Sequence, residues 1–317
     1  MGPPLKLVEV CCPSCGADKP RAYASGRDFE YETCDGEFSF LRCGACGALY
    51  LSPRPDLSAL DVIYPPEYAP YHFDEERLMH RARNFFQKRG VPYFRALLAP
   101  AADILDAGCG TPAYVELLRK HGSPGWKLWG NDFSARTIAE LQRRGFQTLP
   151  GRFEDIDLPE GSFDAIFLRQ VLEHLDCPMA VINRAAGLLK TGGRLIIETP
   201  NFDAWDARLF KKRYWGGYHF PRHWTVFNPE IISAAGKKAG LATEKISFML
   251  SPSFWVQSLH HGLQDHGWPR LARIFFTYVN PVVMGCAVMA DLAQLALTGK
   301  TSNMRVILRK PIALSPG

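Results

Sequence analysis

A chain of 317 residues, 47% of them hydrophobic, holds enough apolar material for one sizeable α/β domain and a smaller appendage, which argues against disorder. The formal net charge of +5 is mild and mixed along the chain, so charge gives no signal for nucleic acid. The start MGPPLKLVEV lacks a charged segment followed by a long apolar core, which predicts a cytoplasmic protein and directs attention to metal before disulfides for the nine cysteines.

The first elements are two CxxCG knuckles, Cys12 with Cys15 and Cys43 with Cys46, separated by a segment of turn and strand character. Four thiolates from two such turns suit tetrahedral zinc, and the glycine after each pair frees the backbone to fold round the ion. Four cysteines leave no open coordination position, so the expected role is structural, with the metal supplying folding energy to a region too short for its own core. Cys11 and Cys34 are spare, and Cys109, Cys177 and Cys286 read as small buried hydrophobes. The following LYLSPRPDLSALDVIYPPEYAPYHF is dense in proline and tyrosine and reads as an irregular packed linker ending near residue 75. Its Tyr64, Tyr68 and Tyr71 either cover the join between two domains or line a substrate entrance.

From residue 102 strand and helix alternate. ADILDAG is a buried strand, PAYVELLRKHG a helix opened by proline and closed by glycine, WKLWGND a second strand, and SARTIAELQRRG a helix capped by Ser134. FDAIFLRQ is a third strand, CPMAVINRAAGLLKTGG a helix and turn, and RLIIETP a fourth strand, which together predict a parallel sheet with crossover helices. After the first strand, Asp106 is followed by Gly108 and Gly110, which remove side chains that would hold the backbone away from a ligand. Asp132 ends the second strand, where an acid either binds a ribose or caps a helix. A dinucleotide turn needs a third glycine for the pyrophosphate, and Pro112 follows Thr111 instead, so a ligand without a pyrophosphate is expected.

Beyond the fourth strand, the basic run RLFKKR at 208–213 reads as a solvated helix face. WGGYHFPRHWTVFNPE then concentrates aromatic and imidazole groups where ligands of open α/β sheets bind. His219 and His223 flank Arg222 and are either a base and an acceptor-orienting group or a structural pair that holds the loop; His174 after the third strand carries the same two readings. Tyr214, Trp215 and Tyr218 wall an acceptor or bury the loop against the sheet. Residues 251–301 are an insertion whose apolar stretch at 274–297 is interrupted by Asn280, Pro281, Asp291 and Gln294, which argues for packing on the domain rather than for a membrane span.

DAGCGTP, WGNDFS, FDAIFLRQVLEHLDCP and LLKTGGRLIIETPN together resemble the successive motifs of class I S-adenosylmethionine-dependent methyltransferases, over about a hundred residues. The CxxCG pairs before LYLSPRP and the later YHFPRHWTVFNPE are similar to a bacterial subgroup with an N-terminal zinc ribbon, often associated with surface-polysaccharide and other glycoconjugate pathways. The resemblance implies a Rossmann-like α/β sheet, mostly parallel with an antiparallel last strand. LATEKISFML and SNMRVILRK take the last two strand positions. It also implies that Asp106, Gly108 and Gly110 surround the methionine part of the cofactor, that Asp132 holds its ribose, that Phe153 and Glu154 lie beside the adenine, and that the backbone at Arg169 and Gln170 lies near the amino acid end. Two positions depart from the pattern: Pro112 for the third glycine, and Arg152 where many members have an acid.

The expected organisation is a zinc ribbon and linker at 1–75, a cofactor-binding core at 76–250, an apolar helical insertion at 251–301, and the last strand and tail at 302–317. The expected function is methyl transfer to a small acceptor, a hydroxyl of a sugar or glycoconjugate precursor. Two alternatives stand beside it: methylation of a quinone-like or lipid-linked phenol, with peripheral membrane contact through 274–297, and a zinc-ribbon binding protein with a vestigial cofactor site. Residues 1–50 lack the basic stripe that nucleic acid binding by such a ribbon would need.

Overall fold

The computed structural model of the protein describes residues 5–65, 88, 90–276 and 280–312. Each cysteine knuckle closes on a glycine in the left-handed region, Gly16 at φ 73° and Gly47 at φ 81°, whose amides donate to the carbonyls of Cys12 and Cys43. The segment between the knuckles contains the antiparallel pair β2 (Pro20–Gly26) and β3 (Phe38–Cys43), with β4 (Leu49–Leu51) added to β3. The short β1 (Leu7–Val8) pairs with β5 (Arg54–Pro55).

The central sheet follows the alternating pattern of the sequence. Its parallel strands are β6 (Ala101–Ala107), β7 (Gly125–Asp132), β8 (Gln147–Pro150), β9 (Phe163–Arg169) and β10 (Leu189–Pro200). Helices cover both faces, so the strands read as near-continuous apolar runs: Ile104, Leu105, Ile166, Phe167, Leu168, Ile196 and Ile197 are all buried. The helices at Ala113–His121, Ala135–Arg143 and Pro178–Leu188 are the crossovers. Ser134 caps the second of them, its hydroxyl accepting from the Thr137 amide.

Between β10 and the next core strand, β11 (Thr225–Val226) leaves the central sheet and adds to the edge of β4, with Thr225 opposite Tyr50. The N-terminal sheet therefore has the order β11-β4-β3-β2, and one of its four strands comes from the chain beyond β10. Phe40, Tyr50 and Leu51 share a single apolar cluster with Leu168, Ile197, Trp215 and Trp224. The central sheet ends with β12 (Ala242–Met249) and β13 (Asn303–Arg309), and β13 runs antiparallel to both of its neighbours, giving the order β12-β13-β10-β9-β6-β7-β8.

The insertion between β12 and β13 is helical, at Pro252–Asp265, Pro269–Phe275 and Pro281–Thr298. Its last helix is long and apolar enough to cross a membrane, and 17% of it is buried. It packs in an inverted sense. Asp291 and Gln294 face inward, where Asp291 accepts from the Ser251 amide and the Trp255 indole and Gln294 accepts from the Asp206 amide, whereas Val282, Met289 and Leu297 are exposed. The polar residues that interrupt the apolar run are the attachment points of the helix.

Several local expectations are corrected. The run 208–213 is not one helix face, because the helix Trp205–Leu209 ends inside it and three of its four cations have partners: Arg208 at Asp203, Arg213 at Asp265 and Glu37, and Lys211 over the Tyr23 ring, with Lys211 and Lys212 exposed. Cys177 and Cys286 are exposed rather than buried. Trp215 and Tyr218 are buried in the shared core and Tyr214 donates to Asp265, so these aromatics fix the loop and do not wall a cavity. Tyr64 donates or accepts at His174 Nδ1 over 3.0 Å, while Tyr68 and Tyr71 lie outside the described residues.

Candidate cofactor turn and histidine pocket

The turn after β6 takes the shape that its glycines permit. Gly108 and Gly110 have φ of 63° and 62°, where side chains are strained. A Cβ on Gly108 would lie 2.9 Å from the Val171 side chain, whereas one on Gly110 would meet nothing within 4 Å, so a ligand has room to approach this backbone. Asp132 holds the turn in place by accepting from the Gly110 amide and the Ser134 amide, each at 2.8 Å. Asn131 extends the same stitching: its side-chain oxygen faces the Gly108 amide at 3.4 Å, and its amide group donates to Leu149 and Gly151. Sequence reasoning passed over Asn131, which no motif distinguishes from Asp132 beside it.

Asp106 lies beneath the turn, 1% exposed, and its Oδ2 has no hydrogen-bond partner among the described residues. Burial pushes its carboxyl up to about 7, against the pull of the Arg169 guanidinium. Arg169 itself is committed to Glu198 at 3.2 Å and lies 3.6 Å over the Tyr114 ring. An orphaned buried carboxylate oxygen beside an open glycine turn fits a ligand that brings a cationic amino group. Gln170 is a non-glycine residue at φ 55°, its amide donating to the Glu198 carbonyl and its side chain to Asn303. Phe153 is buried after β8, and the neighbouring Glu154 is gripped by Arg152, which also reaches Asp176 at 2.8 Å. The unusual Arg152 thus ties down an acid expected near the ligand.

The second feature is a cluster of imidazoles beyond β9 and β10. The structure brings together all three histidines singled out in the sequence: the His174 and His223 rings are 4.6 Å apart, and His219 lies 5.0 Å from His223. Their surroundings differ. His174 Nδ1 faces the Arg222 carbonyl at 3.1 Å and His223 Nδ1 faces the Gly217 carbonyl at 2.8 Å. Burial pushes His174 down to about 3 and His223 well below the usual histidine value, so both rings are neutral at physiological pH.

His219 instead has a carboxylate partner, with Glu30 Oε1 2.7 Å from its Nδ1. Glu30 also accepts from Gln257 at 3.2 Å and lies 3.8 Å from His261. Burial alone would raise the Glu30 carboxyl, but the charge and hydrogen bond of His219 hold it below the ordinary value. The backbone of His219 is left-handed, φ 41°, a conformation that costs a non-glycine residue free energy and persists only when its surroundings dictate it. Those surroundings include a fully buried ion pair: Arg222 grips Asp28 through both terminal nitrogens, at 3.0 and 2.9 Å, and donates to the Ile63 carbonyl. Glu30 and Asp28 come from the strap between β2 and β3, about 190 residues upstream of their partners, and no local pattern in GRDFEYETCD announces them. Glu173, adjacent to His174, is fully buried; its Oε2 accepts from the Thr199 hydroxyl at 3.0 Å and its Oε1 has no partner among the described residues.

The four knuckle cysteines converge as the spacing predicts. Sγ of Cys12 and Cys46 are 3.6 Å apart, as are those of Cys15 and Cys43, and all four lie within 4.8 Å of one another. A tetrahedral zinc site with Zn–S bonds of ~2.3 Å needs sulfurs about 3.8 Å apart, so the donor set fits that ion.

Comparison with known proteins agrees with this geometry. The family described as "Methyltransferase domain" matches residues 75–246. The chain is 29% identical over 179 residues to the ubiquinone biosynthesis O-methyltransferase of Xanthomonas axonopodis pv. citri, covering 50% of this chain and 71% of that protein. It is 32% identical over 111 residues to a 37.1 kDa protein in transposon TN4556 of Streptomyces fradiae, covering 33% of this chain and only 32% of that relative's length. The crystal structure of the PH0226 protein from Pyrococcus horikoshii OT3 shares the fold, with a TM-score of 0.50 at 12% identity over 77% of this chain and 97% of that one.

Proposed function

The chain belongs to the methyltransferase-domain family, and from that premise we propose that it transfers the methyl group of S-adenosylmethionine to a hydroxyl oxygen of a small acceptor, a sugar or glycoconjugate precursor. The observation that carries the reading is the pairing of an open glycine turn above an orphaned Asp106 oxygen with a carboxylate-held His219, the two linked by the loop after β9, whose Val171 lies beside Gly108 and whose His174 ring is 6.3 Å from that of His219. S-adenosylmethionine supplies a methyl carbon already activated by a positive sulfonium, so the protein's work is to align the acceptor, exclude water and accept one proton. In this reading Asp106 receives the cofactor's ammonium group, Gly108 and Gly110 let it approach the backbone, and Asp132 uses its remaining lone pairs for the ribose. Phe153 and Glu154 flank the adenine, and the backbone at Arg169 and Gln170 borders the amino acid end. His219 is the base for the acceptor hydroxyl. His174 and His223 are neutral and hold rather than deprotonate.

Isothermal titration calorimetry tests the premise: S-adenosylmethionine binds the full chain, and no binding at millimolar cofactor would sink the enzyme reading. Asp132→Ala weakens that binding by more than any change at His219 does, because Asp132 shapes the Gly110 turn as well as meeting the ribose. The reverse order would overturn this division of roles.

A phenolic or lipid-linked acceptor is the second reading, favoured by the ubiquinone biosynthesis relatives and by the exposed apolar face of the helix Pro281–Thr298. Co-sedimentation with lipid vesicles, abolished by shortening 274–297, supports it, and a protein that stays in the supernatant counts against it.

We further infer a structural zinc ion on Cys12, Cys15, Cys43 and Cys46. Metal analysis finds about one tightly held zinc per chain, absent from a Cys43→Ser Cys46→Ser variant. Zinc retained by that variant would remove the assignment.

A further inference from the structure

We propose that Glu173, His174 and His223 form a second metal site, which takes a divalent transition-metal ion beside the base His219. A ring nitrogen of each histidine and a carboxylate oxygen of Glu173 lie within 4.8 Å of one another, yet no hydrogen bond joins any two of them among the described residues. Two imidazoles and one carboxylate converging from two loops are the donor set of facial-triad sites for divalent metals.

What surrounds the three groups separates this cluster from a chance meeting of polar side chains. Ligating histidines almost always have the other ring nitrogen fixed by a carbonyl or carboxylate. Here Nδ1 of His223 faces the Gly217 carbonyl, which places its ring proton on Nδ1 and leaves the lone pair on Nε2; Nδ1 of His174 faces the Arg222 carbonyl at 3.1 Å and the Tyr64 hydroxyl at 3.0 Å, both able to accept its proton. The carboxylate is prepared in the same way, because Thr199 donates to Oε2 while Oε1 stays without a donor, fully buried. A buried carboxylate oxygen with no donor is costly, and a cation shared with two neutral imidazoles removes that cost.

The position gives the ion a task. The His219 ring is 5.0 Å from that of His223, so an acceptor hydroxyl bound to the ion would lie next to the base. A divalent ion lowers the pKa of a bound hydroxyl by several units, which widens the acceptor class from acidic phenols to ordinary sugar alcohols. The hydroxyl proton passes to His219, the oxygen forms the new bond to the methyl carbon, and the carbon–sulfur bond breaks with its electron pair left on sulfur as a neutral thioether. This task rests on the methyl-transfer reading, whereas the binding of the ion does not.

The test is a titration of the full, zinc-replete chain with Co2+, read by the visible absorption of the bound ion and by metal analysis after gel filtration. One Co2+ binds beyond the zinc already present. Glu173→Gln and His174→Asn each weaken it by a factor of ten or more, and Thr199→Val, which touches only the support of Glu173, weakens it about tenfold. Circular dichroism and thermal melting of the same variants report that each remains folded, independently of cofactor binding. Failure to bind Co2+ in the wild-type chain, or an extra ion bound equally well by Glu173→Gln, overturns the proposal. If the methyl-transfer reading alone is wrong, the Co2+ still binds and the cofactor does not.

Discussion

His219→Asn is expected to lower kcat for methyl transfer by about 10²–10⁴-fold, the range for loss of a positioned general base, with cofactor affinity unchanged. Asparagine approximates the Nδ1 position, so the contact to Glu30 is preserved while the titrating nitrogen is removed. Glu30→Gln gives a smaller loss of the same kind. The amide keeps a hydrogen bond of similar length but no longer stabilises the imidazolium that forms when the acceptor proton arrives, so kcat falls while KM for the cofactor stays in place. Stopped-flow single turnovers on the two variants separate this from slow product release. A His219→Asn enzyme that turns over at the wild-type rate would remove His219 from the chemistry and return it to the structural role that the sequence left open.

Asp28→Asn is expected to destabilise the protein by about 3–5 kcal/mol, because it leaves the Arg222 guanidinium buried and uncompensated. The double replacement Asp28→Leu Arg222→Met recovers only part of that loss: it removes the stranded charge, but it also removes the carboxylate that accepts from the Glu30, Tyr31 and Thr33 amides. A chemical denaturation series reads both. If Asp28→Asn costs less than about 1 kcal/mol, the value of an exposed pair, the ion pair is solvated in solution. The pH dependence follows from the same contact. Burial acts to raise the Asp28 carboxyl, yet Arg222 holds it down to about 2. A folded-state value below the unfolded one gives stability that is present in full above the unfolded value near ~3.9 and is lost as pH falls to about 2. Acid therefore loosens the strap that carries Glu30 as well.

The central sheet was legible because it is built from local signals. ADILDAG, WKLWGND, FDAIFLRQ and RLIIETP are apolar runs closed by turn residues, and Ser134 capped its helix as its chemistry dictates. The convergence of the knuckle cysteines was legible for the same reason, two thiols being encoded in each four-residue turn. What escaped is long-range. Glu30 and Asp28 act on residues about 190 positions away, and a lone acid in a strap has no periodicity to betray it. For the helix Pro281–Thr298 the interruptions Asp291 and Gln294 pointed to packing on the domain, but not to the side that packs: they meet the Ser251 and Asp206 amides in the interior while Val282, Met289 and Leu297 are exposed. Cys177 and Cys286 show the reverse error, apolar by type and exposed in place.

The addition of β11 to β4 also sets a timetable. Thr225 pairs with Tyr50, so the edge of the N-terminal sheet has no partner until about 175 further residues have been made. At ~5–20 residues per second that interval is roughly 10–35 s on the ribosome. During it the Phe40, Tyr50 and Leu51 surface, later covered by Trp224 and Phe227, faces solvent. Early capture of the proposed zinc ion by the four cysteines would then serve nascent-chain survival, holding a half-built sheet in shape until its fourth strand emerges.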